Sequence, residues 1–315
     1  MLLGVDIGGT KCAVALGMPD GSLLRRREEP TRADEMGPEA IIERLAAMAR
    51  ALLAEQAGGA PEGIGISCGG PLDSRTGIVH DPPNLRGWDA VPVRAYFESA
   101  FPGVPVALEN DANATALAEW RWGAGRGTRN MAFVTIGTGI GGGLILDGRL
   151  YRGTNDLAGE VGHQTILPNG PLCGCGKCGC LEALASGPAI ARLARESLDY
   201  GRGNRLLQAA GGKPADIQAR HVVAAAREGD PFSRSILAEA GTYLGIGLAN
   251  LIQILNPERI ILGTIAVHAG DLLLEPVRQS VADRAWERAR SVCAIVPAEL
   301  GDRAQDLAAI GIAAP

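Results

Sequence analysis

Four of the seven cysteines and one of the four histidines lie in one glycine-rich stretch, residues 159–182. The possible metal donors are His163, Cys173, Cys175, Cys178 and Cys180. Thiolate sulfur and imidazole nitrogen are the ligands that zinc prefers, and a structural zinc site takes four of them in a tetrahedron. The spacing therefore predicts a structural zinc site, and it leaves open which four of the five side chains bind.

Other functions of this cysteine cluster are weaker alternatives. A redox switch is the main one, because Cys178 and Cys180 are close in sequence. A zinc knuckle that binds nucleic acid would need basic and aromatic side chains, but Lys177 is the only lysine or arginine within 159–182. Four reduced cysteines that pack together by chance would seldom show this spacing.

Two glycine-rich loops upstream have matching surroundings. Apolar residues 2–7 lead into Gly8-Gly9-Thr10-Lys11, and apolar residues 132–136 lead into the GTGIGGG of residues 137–143. An apolar run and an Asp-Gly pair follow each loop, which predicts strand, loop, strand, turn and strand. Closely spaced glycines let backbone amides approach a phosphate, so the repeat predicts two related halves that hold a polyphosphate between them.

Two unrelated glycine-rich hairpins are the alternative for these loops. Neither loop has the spacing of a Walker A motif, and neither is a dinucleotide-binding motif that leads into a helix. The interpretation as phosphate loops therefore depends on the repeat.

Three polar residues, Glu109, Asn110 and Asp111, lie between a predicted strand at 104–108 and a predicted helix at 116–122. Ligands of α/β proteins bind at this kind of position. Capping of the helix would explain Asn110 or Asp111, but it does not require all three. The irregular loop 82–88 is a further candidate for ligand contacts.

The composition of the 315-residue chain limits which class of protein it can be. With 46% hydrophobic and 21% charged residues, we expect a soluble globular protein of one large or two ordinary domains. The net charge of −5 and the 4% aromatic content argue against nucleic acid as a partner. No apolar run reaches the about 20 residues of a membrane span. No signal-peptide pattern opens the chain, which predicts a cytoplasmic location and reduced thiols.

Four segments together resemble the ROK family of sugar kinases and transcriptional repressors: residues 4–11, 109–114, 137–143 and 159–182. The most specific feature is Gly162-His163, followed ten positions later by Cys173 and the pattern C-x-C-G-x-x-G-C-x-E. The resemblance covers nearly the whole chain.

The resemblance implies a fold class and a domain division. We expect a two-lobed α/β fold of the actin-like ATPase (ribonuclease H-like) class, with a zinc knuckle in the second lobe. The predicted first lobe is 1–118, to which a C-terminal helix at 303–315 returns. The predicted second lobe is 119–302 and carries the zinc-binding loop 159–182.

The resemblance also assigns roles to single residues. It selects His163, Cys173, Cys175 and Cys180 as zinc ligands and leaves Cys178 free. The implied hexose-binding residues are Gly70, Asn84, Asn110, Asp111, Glu160, His163 and Glu182. The implied residues for ATP and Mg²⁺ are Asp6, Gly8, Gly9, Thr10, Lys11, Gly137, Thr138, Gly139 and Gly263, with Asp6 holding Mg²⁺ through water. Taken alone, Glu160 or Glu182 would more often be a solvated loop carboxylate.

The implied reaction is ATP-dependent phosphorylation of a hexose, with Asp111 as the general base that takes the proton from the attacking hydroxyl. Glucose, converted to glucose 6-phosphate, is the first choice of substrate. The alternatives are N-acetylmannosamine, N-acetylglucosamine, fructose, mannose and allose. Relatives of this kind are commonly homodimers or homotetramers.

Two other functions, repressor and sugar-binding regulator, are alternatives to the kinase. A repressor would need a helix-turn-helix domain ahead of the first glycine loop, whose stretch begins at residue 4, so we favour the kinase. A catalytically silent sugar-binding regulator stays open, because residues 263–265 are Gly-Thr-Ile where the family has two or three glycines beside the adenosine. This departure also leaves open whether ATP or another phosphoryl donor is preferred.

Overall fold

Two five-stranded sheets form the framework of the protein in a computed structural model that describes residues 1–56, 59–198 and 202–314. The strands, in chain order, are β1 (Leu2–Ile7), β2 (Lys11–Gly17), β3 (Leu23–Pro30), β4 (Ile64–Cys68), β5 (Leu72–Asp73), β6 (Ile78–Val79), β7 (Val106–Asn110), β8 (Met131–Ile136), β9 (Ile140–Leu146), β10 (Arg149–Leu150), β11 (Arg259–Leu262) and β12 (Ala294–Pro297).

The helices pack around these sheets. They are α1 (Pro38–Ala54), α2 (Val93–Ala100), α3 (Asp111–Trp122), α4 (Leu181–Ala185), α5 (Gly187–Glu196), α6 (Asn204–Ala209), α7 (Ala219–Arg227), α8 (Pro231–Leu255), α9 (Ile265–Ala269), α10 (Asp271–Arg284), α11 (Glu287–Arg290) and α12 (Ala304–Ala313). Short 3₁₀ helices occur at Val161–His163, Pro214–Asp216 and Gly301–Arg303.

The two sheets share one topology. The strand order is β3-β2-β1-β4-β7 in the first and β10-β9-β8-β11-β12 in the second. In each sheet the first three strands in chain order pair antiparallel, and the last two add in parallel. The chain therefore consists of two structurally related halves, as the repeated glycine-loop pattern predicts.

The C-terminal helix α12 packs on the first sheet, against β1 and β4. The contact is close because both strands present a glycine: a methyl group at Gly65 would collide with the carbonyl oxygen of Ala309, and one at Gly4 would lie 2.9 Å from Ala309 Cβ. Strands β1 and β4 are wholly buried, which fits strands covered on both faces. The division into lobes at 118 and 302 stays a prediction, and Pro315 of the predicted helix 303–315 lies outside the described residues.

The long helix α8 is the centre of the second core, where it packs against α10 and α7. Among the residues that the structure describes, it alone is long and apolar enough to cross a membrane by length and composition. However, 56% of the most apolar 18-residue stretch of this helix is buried inside the protein, as in the core helix of a soluble domain.

Strand β9 begins at Ile140, earlier than the apolar run that follows the glycines in the sequence. Gly141, Gly142 and Gly143 are therefore strand residues and not part of the loop. Gly141 and Gly143 let α3 approach the second sheet, since methyl groups there would lie 3.3 Å from Ala112 Cβ and 2.6 Å from Ala116 Cβ. Gly142 lies instead against Gly159 and Val161. The second glycine loop itself is reduced to residues 137–139.

Candidate active site and metal cluster

The carboxyl ends of β1, β4 and β7 lie side by side, because the three strands are parallel neighbours in the first sheet. The register pairs Asp6 with Ser67, and Ser67 with Glu109. Asn110 and Asp111 follow directly. Residues that are far apart in sequence therefore meet at one sheet edge, which is where α/β folds bind ligands.

Asn110 caps helix α3. Its Oδ1 accepts hydrogen bonds from the backbone N–H groups of Ala112 at 2.9 Å and Asn113 at 3.4 Å. Asp111 is the first helical residue, and its Oδ1 accepts from Ala112 N–H at 2.8 Å. Gly70 lies against the same group, since a methyl group there would be 3.1 Å from Asn110 Nδ2. The capping role expected for Asn110 thus coexists with its place in the candidate sugar site.

The pKa of Asp111 is raised above its ordinary value. Solvent reaches the carboxylate, which is exposed, but the protein around it removes much of its hydration and so disfavours the ionised form. The negative charge of Glu160 raises the pKa further, and the hydrogen bond from Ala112 opposes the rise. A carboxylate shifted in this direction is better matched to general-base chemistry near neutral pH.

Asp6 is 9% exposed, and its burial raises its pKa to about 7. A hydrogen bond with Ser67 lowers the pKa, while the charge of Asp111 raises it. A buried carboxylate of this kind is costly to ionise unless a cation lies nearby. Asp6 therefore fits a place beside Mg²⁺, which prefers carboxylate and water oxygens.

The first glycine loop is closed by a backbone hydrogen bond from Gly8 N–H to the carbonyl of Lys11 at 3.1 Å. Asn84 of the irregular loop lies directly on it, because a methyl group at Gly9 would be 2.6 Å from Asn84 Cβ. The Lys11 ammonium pairs with Glu28 at 2.7 Å on the surface. The structure thus brings Asn84 to the predicted phosphate loop.

The second glycine loop is held by Glu182. Its Oε2 accepts a hydrogen bond from Ile140 N–H at 2.9 Å, and a methyl group at Gly139 would lie 2.5 Å from the same oxygen. The other oxygen, Oε1, lies 3.4 Å from the Cys173 sulfur. Glu182 therefore connects the cysteine cluster to the glycine loop, a contact that its sequence position does not reveal.

A cavity of about 250 Å³ opens between α7 and α9. Its lining residues are Arg220, Val223, Ala224, Arg227, Ile265 and His268. Ile265 directly follows Gly263 and Thr264, so the cavity adjoins the segment that departs from the family pattern. The α7 residues were not among the sequence candidates, because helical periodicity identifies a buried face and not a ligand pocket.

Thr264 occupies a backbone conformation that normally favours glycine, with φ 55° and ψ −109°. Its hydroxyl lies 2.7 Å from Thr135 Oγ1 and accepts a hydrogen bond from Ile136 N–H at 3.2 Å. These contacts tie the strained residue to the end of β8. Gly263 beside it is buried against the ring of Phe133.

The side-chain donors of His163, Cys173, Cys175 and Cys180 all lie within 4.8 Å of one another. Cys175 Sγ and Cys180 Sγ are 3.7 Å apart, as are Cys173 Sγ and His163 Nδ1. Zinc–sulfur bonds of about 2.3 Å place two ligands of a tetrahedron about 3.8 Å apart. The four donors therefore have the chemistry and spacing of a closed tetrahedral metal site.

The orientation of His163 links this cluster to the cleft. Nδ1 faces the cysteines, while Nε2 lies 3.8 Å from Glu160 Oε2. Glu160 in turn acts electrostatically on Asp111. The fifth candidate donor, Cys178, has an exposed side chain and is outside the donor group found among the described residues.

The glycines of the cluster explain how cysteines two positions apart can face one centre. Cys173 N–H donates to the carbonyl of Lys177 at 2.8 Å, and Gly176 N–H returns to the carbonyl of Cys173 at 2.9 Å. Gly179 has a φ of 74°, and a methyl group there would collide with the carbonyl oxygen of Leu167. The tight turn therefore requires glycine at 179.

Comparison with known proteins identifies the class. The ROK family matches residues 2–314. The chain is 36% identical to a glucokinase of Streptomyces coelicolor over 310 residues, which cover 96% of this chain and 94% of the relative. It is 39% identical to a glucokinase of Thermotoga maritima over 282 residues, which cover 90% of this chain and 87% of the relative.

Among solved structures, a ROK family glucokinase from Streptomyces griseus in complex with glucose and AMPPNP superimposes with a TM-score of 0.83. It is 35% identical, and the match covers 99% of this chain and 98% of the other. The chain belongs to the ROK family, and the predicted two-lobed actin-like ATPase fold is confirmed.

The four clustered donors give the first testable prediction. We expect the purified protein to hold a metal ion there and Gly179→Ala to lose most of it, because the Cβ atom displaces the turn that carries Cys180. Gly174→Ala is the matched control, since a methyl group there meets no atom within 4 Å. Elemental analysis of the purified proteins measures metal per chain, and equal metal content in both variants would contradict the assigned role of the turn.

Asp6 gives a prediction on stability. Between pH 3.8 and about 7 the folded chain holds a proton that the unfolded chain has released, so the free energy of unfolding falls as pH rises through this interval. Asp6→Asn removes this penalty. Its advantage over the unsubstituted protein should grow by about 2 kcal/mol between about pH 5.5 and about pH 8.5.

Urea unfolding without added magnesium measures this difference. Asp89→Asn, which makes the same change at an exposed carboxylate, is the matched control. An Asp6→Asn advantage that stays constant with pH would show that Asp6 is not a buried group of raised pKa.

Proposed function

We propose that the protein catalyses ATP-dependent phosphorylation of glucose to glucose 6-phosphate, with Asp111 as the general base. The observation that carries the proposal is the position of Asp111. It begins α3 at the carboxyl end of β7, its pKa is raised, and Glu160 of the second half acts on it across the cleft. The glucokinase relatives, which match nearly the whole chain, support glucose as the substrate.

The sugar would lie between the two halves. The amides of Asn84 and Asn110 can donate to and accept from ring hydroxyls, and the carboxylate of Glu160 can accept from a vicinal pair. His163 can bind a hydroxyl through Nε2, because Nδ1 faces the cysteine cluster. Gly70 and Glu182 complete the proposed set, Gly70 by leaving room beside Asn110.

The nucleotide would span the two glycine loops. We propose that its base enters the cavity between α7 and α9, whose lining is mostly apolar and whose residue Ile265 follows Gly263. The phosphates would meet Gly8, Gly9, Thr10 and Lys11 from the first half and Gly137, Thr138 and Gly139 from the second. Mg²⁺, held by Asp6 through water, would supply charge neutralisation for phosphoryl transfer.

We propose that the metal of the cluster is zinc and that its role is structural, because four protein donors leave no open position. It would fix His163 and, through it, the side of the sugar site that Glu160 forms. The reduced thiols that this requires fit a cytoplasmic enzyme. Assembly as a homodimer or homotetramer stays a prediction, which light scattering of the purified protein would test.

A coupled assay of ADP release tests the proposed reaction. The purified protein is offered glucose, N-acetylmannosamine, N-acetylglucosamine, fructose, mannose and allose, each with ATP. We expect the highest kcat/KM with glucose. Turnover with only one of the other sugars would show that this sugar, and not glucose, is the substrate. No turnover with any sugar or phosphoryl donor would favour a sugar-binding regulator.

The general base gives a sharper prediction. Asp111→Asn should lower kcat about 10²- to 10⁴-fold, because an amide cannot take the proton of the attacking hydroxyl. Glucose binding, measured by titration calorimetry, should change little, since the amide keeps the size and the accepting oxygen. Asp89→Asn serves as the control. An Asp111→Asn protein with unreduced kcat would exclude Asp111 as the base.

A further inference from the structure

Glu109, the residue two positions before the proposed base, is 1% exposed and has a partner for each carboxylate oxygen. Oε1 accepts hydrogen bonds from Asn110 N–H and from the Asn113 side-chain amide, both at 3.0 Å. Oε2 accepts from Arg152 Nε at 2.7 Å. Glu109 therefore fixes the first turn of α3 through Asn110 and Asn113, which lie on either side of Asp111 in the chain.

Arg152 reaches Glu109 from the opposite half of the protein. Glu109 belongs to β7 in the first sheet, whereas Arg152 follows β10 of the second sheet. A second contact joins the same segment to the first half: the Asp156 carboxylate accepts from Ser74 N–H at 2.8 Å and from the Ser74 hydroxyl at 3.0 Å. This segment, residues 151–158, leads directly into Glu160.

Stability alone is a weak reason for this pair. Taking a carboxylate and a guanidinium out of water costs about as much as their attraction returns, and apolar residues of similar size are often as stable. Helix α3 is already fixed by the Asn110 cap and by its packing on β9 and α12. What the pair adds is a countercharge beside the base and a link between the two halves.

We propose that Glu109 and Arg152 form a positioning pair for Asp111. The guanidinium neutralises the buried carboxylate next to the base, and the carboxylate fixes the turn that aims Asp111 at the attacking hydroxyl. Neither side chain needs to touch the sugar. The inference rests on the proposed function, because it concerns the orientation of the proposed general base.

The test is a set of steady-state measurements on the full-length protein with glucose and ATP. Arg152→Gln should lower kcat about 10- to 100-fold, because it leaves the buried Glu109 carboxylate without a countercharge and loosens the turn. The KM for glucose should stay within about three-fold, since no sugar contact is lost. Arg152→Lys, which keeps the charge, should recover part of kcat.

The control is Arg129→Gln, which removes an exposed arginine that pairs with Asp147 in the same half of the protein. It should leave kcat unchanged. Melting temperatures of all variants are measured in parallel. Arg152→Gln is expected to melt below the unsubstituted protein because it leaves a buried carboxylate without its countercharge, so kcat is measured at a temperature at which both proteins are folded.

A double substitution separates positioning from direct contact with substrate. In a Glu109→Gln background, Arg152→Gln should change kcat by less than about three-fold, because the charge that needs neutralising is gone. An equal loss of kcat in both backgrounds, or an effect confined to the KM for glucose, would show that Arg152 acts on the substrate and would overturn the pair. Should Glu109→Gln not fold, the single substitutions decide: unreduced kcat in Arg152→Gln overturns the proposal.

The activity of the unsubstituted protein distinguishes failure of the positioning pair from failure of the proposed kinase function. Turnover of the unsubstituted protein together with an unaffected Arg152→Gln variant would refute the positioning pair alone. Absence of turnover in the unsubstituted protein with every sugar and donor would refute the proposed function and this inference with it.

Discussion

The contact between helix α3 and strand β9 is the constraint on which the rest of the cleft depends. Helix α3 starts at the carboxyl end of the first sheet, while β9 belongs to the second, so their packing sets the distance between the halves. Gly143 makes the approach possible, because any side chain there would push Ala116 away. The same contact places Ala112, the residue after Asp111, against Gly141 of β9, where a methyl group would lie 3.3 Å from Ala112 Cβ. Glycines that look like phosphate-binding residues in the sequence thus include three that serve packing.

The cysteine cluster acts on the cleft through a short chain of neighbours. His163 joins it by one ring nitrogen and faces Glu160 with the other, and the charge of Glu160 raises the pKa of Asp111. Glu182 makes a second connection, from Cys173 to the backbone of the second glycine loop. A metal bound to this cluster would therefore fix both Glu160 and the second glycine loop without taking part in the reaction. This explains why a closed site lies so near a reaction that needs no zinc chemistry.

Local pattern was enough to predict the repeated halves, the metal donors as a group and the passage from strand to helix around Glu109, Asn110 and Asp111. These features depend on apolar runs, turn residues and short spacings, which one sequence displays directly. The features that the sequence did not reveal depend on tertiary contacts. Arg152 and Glu109 are 43 residues apart, and nothing in either neighbourhood indicates the pairing. The lining of the α7 cavity has the ordinary pattern of an amphipathic helix, so only the packed structure identifies it as a pocket.

Thr264 shows how a residue other than glycine can occupy a turn that favours glycine. The backbone there keeps a conformation that suits glycine, and a β-branched residue adopts it only at a cost of about 1–3 kcal/mol. The hydrogen bonds of its hydroxyl with Thr135 and Ile136 N–H offset part of that cost. Ile265, the next residue, lines the cavity beside α7. The loss of glycine at 264 is therefore a change in how the turn is stabilised, and by itself it does not argue against a nucleotide in that cavity.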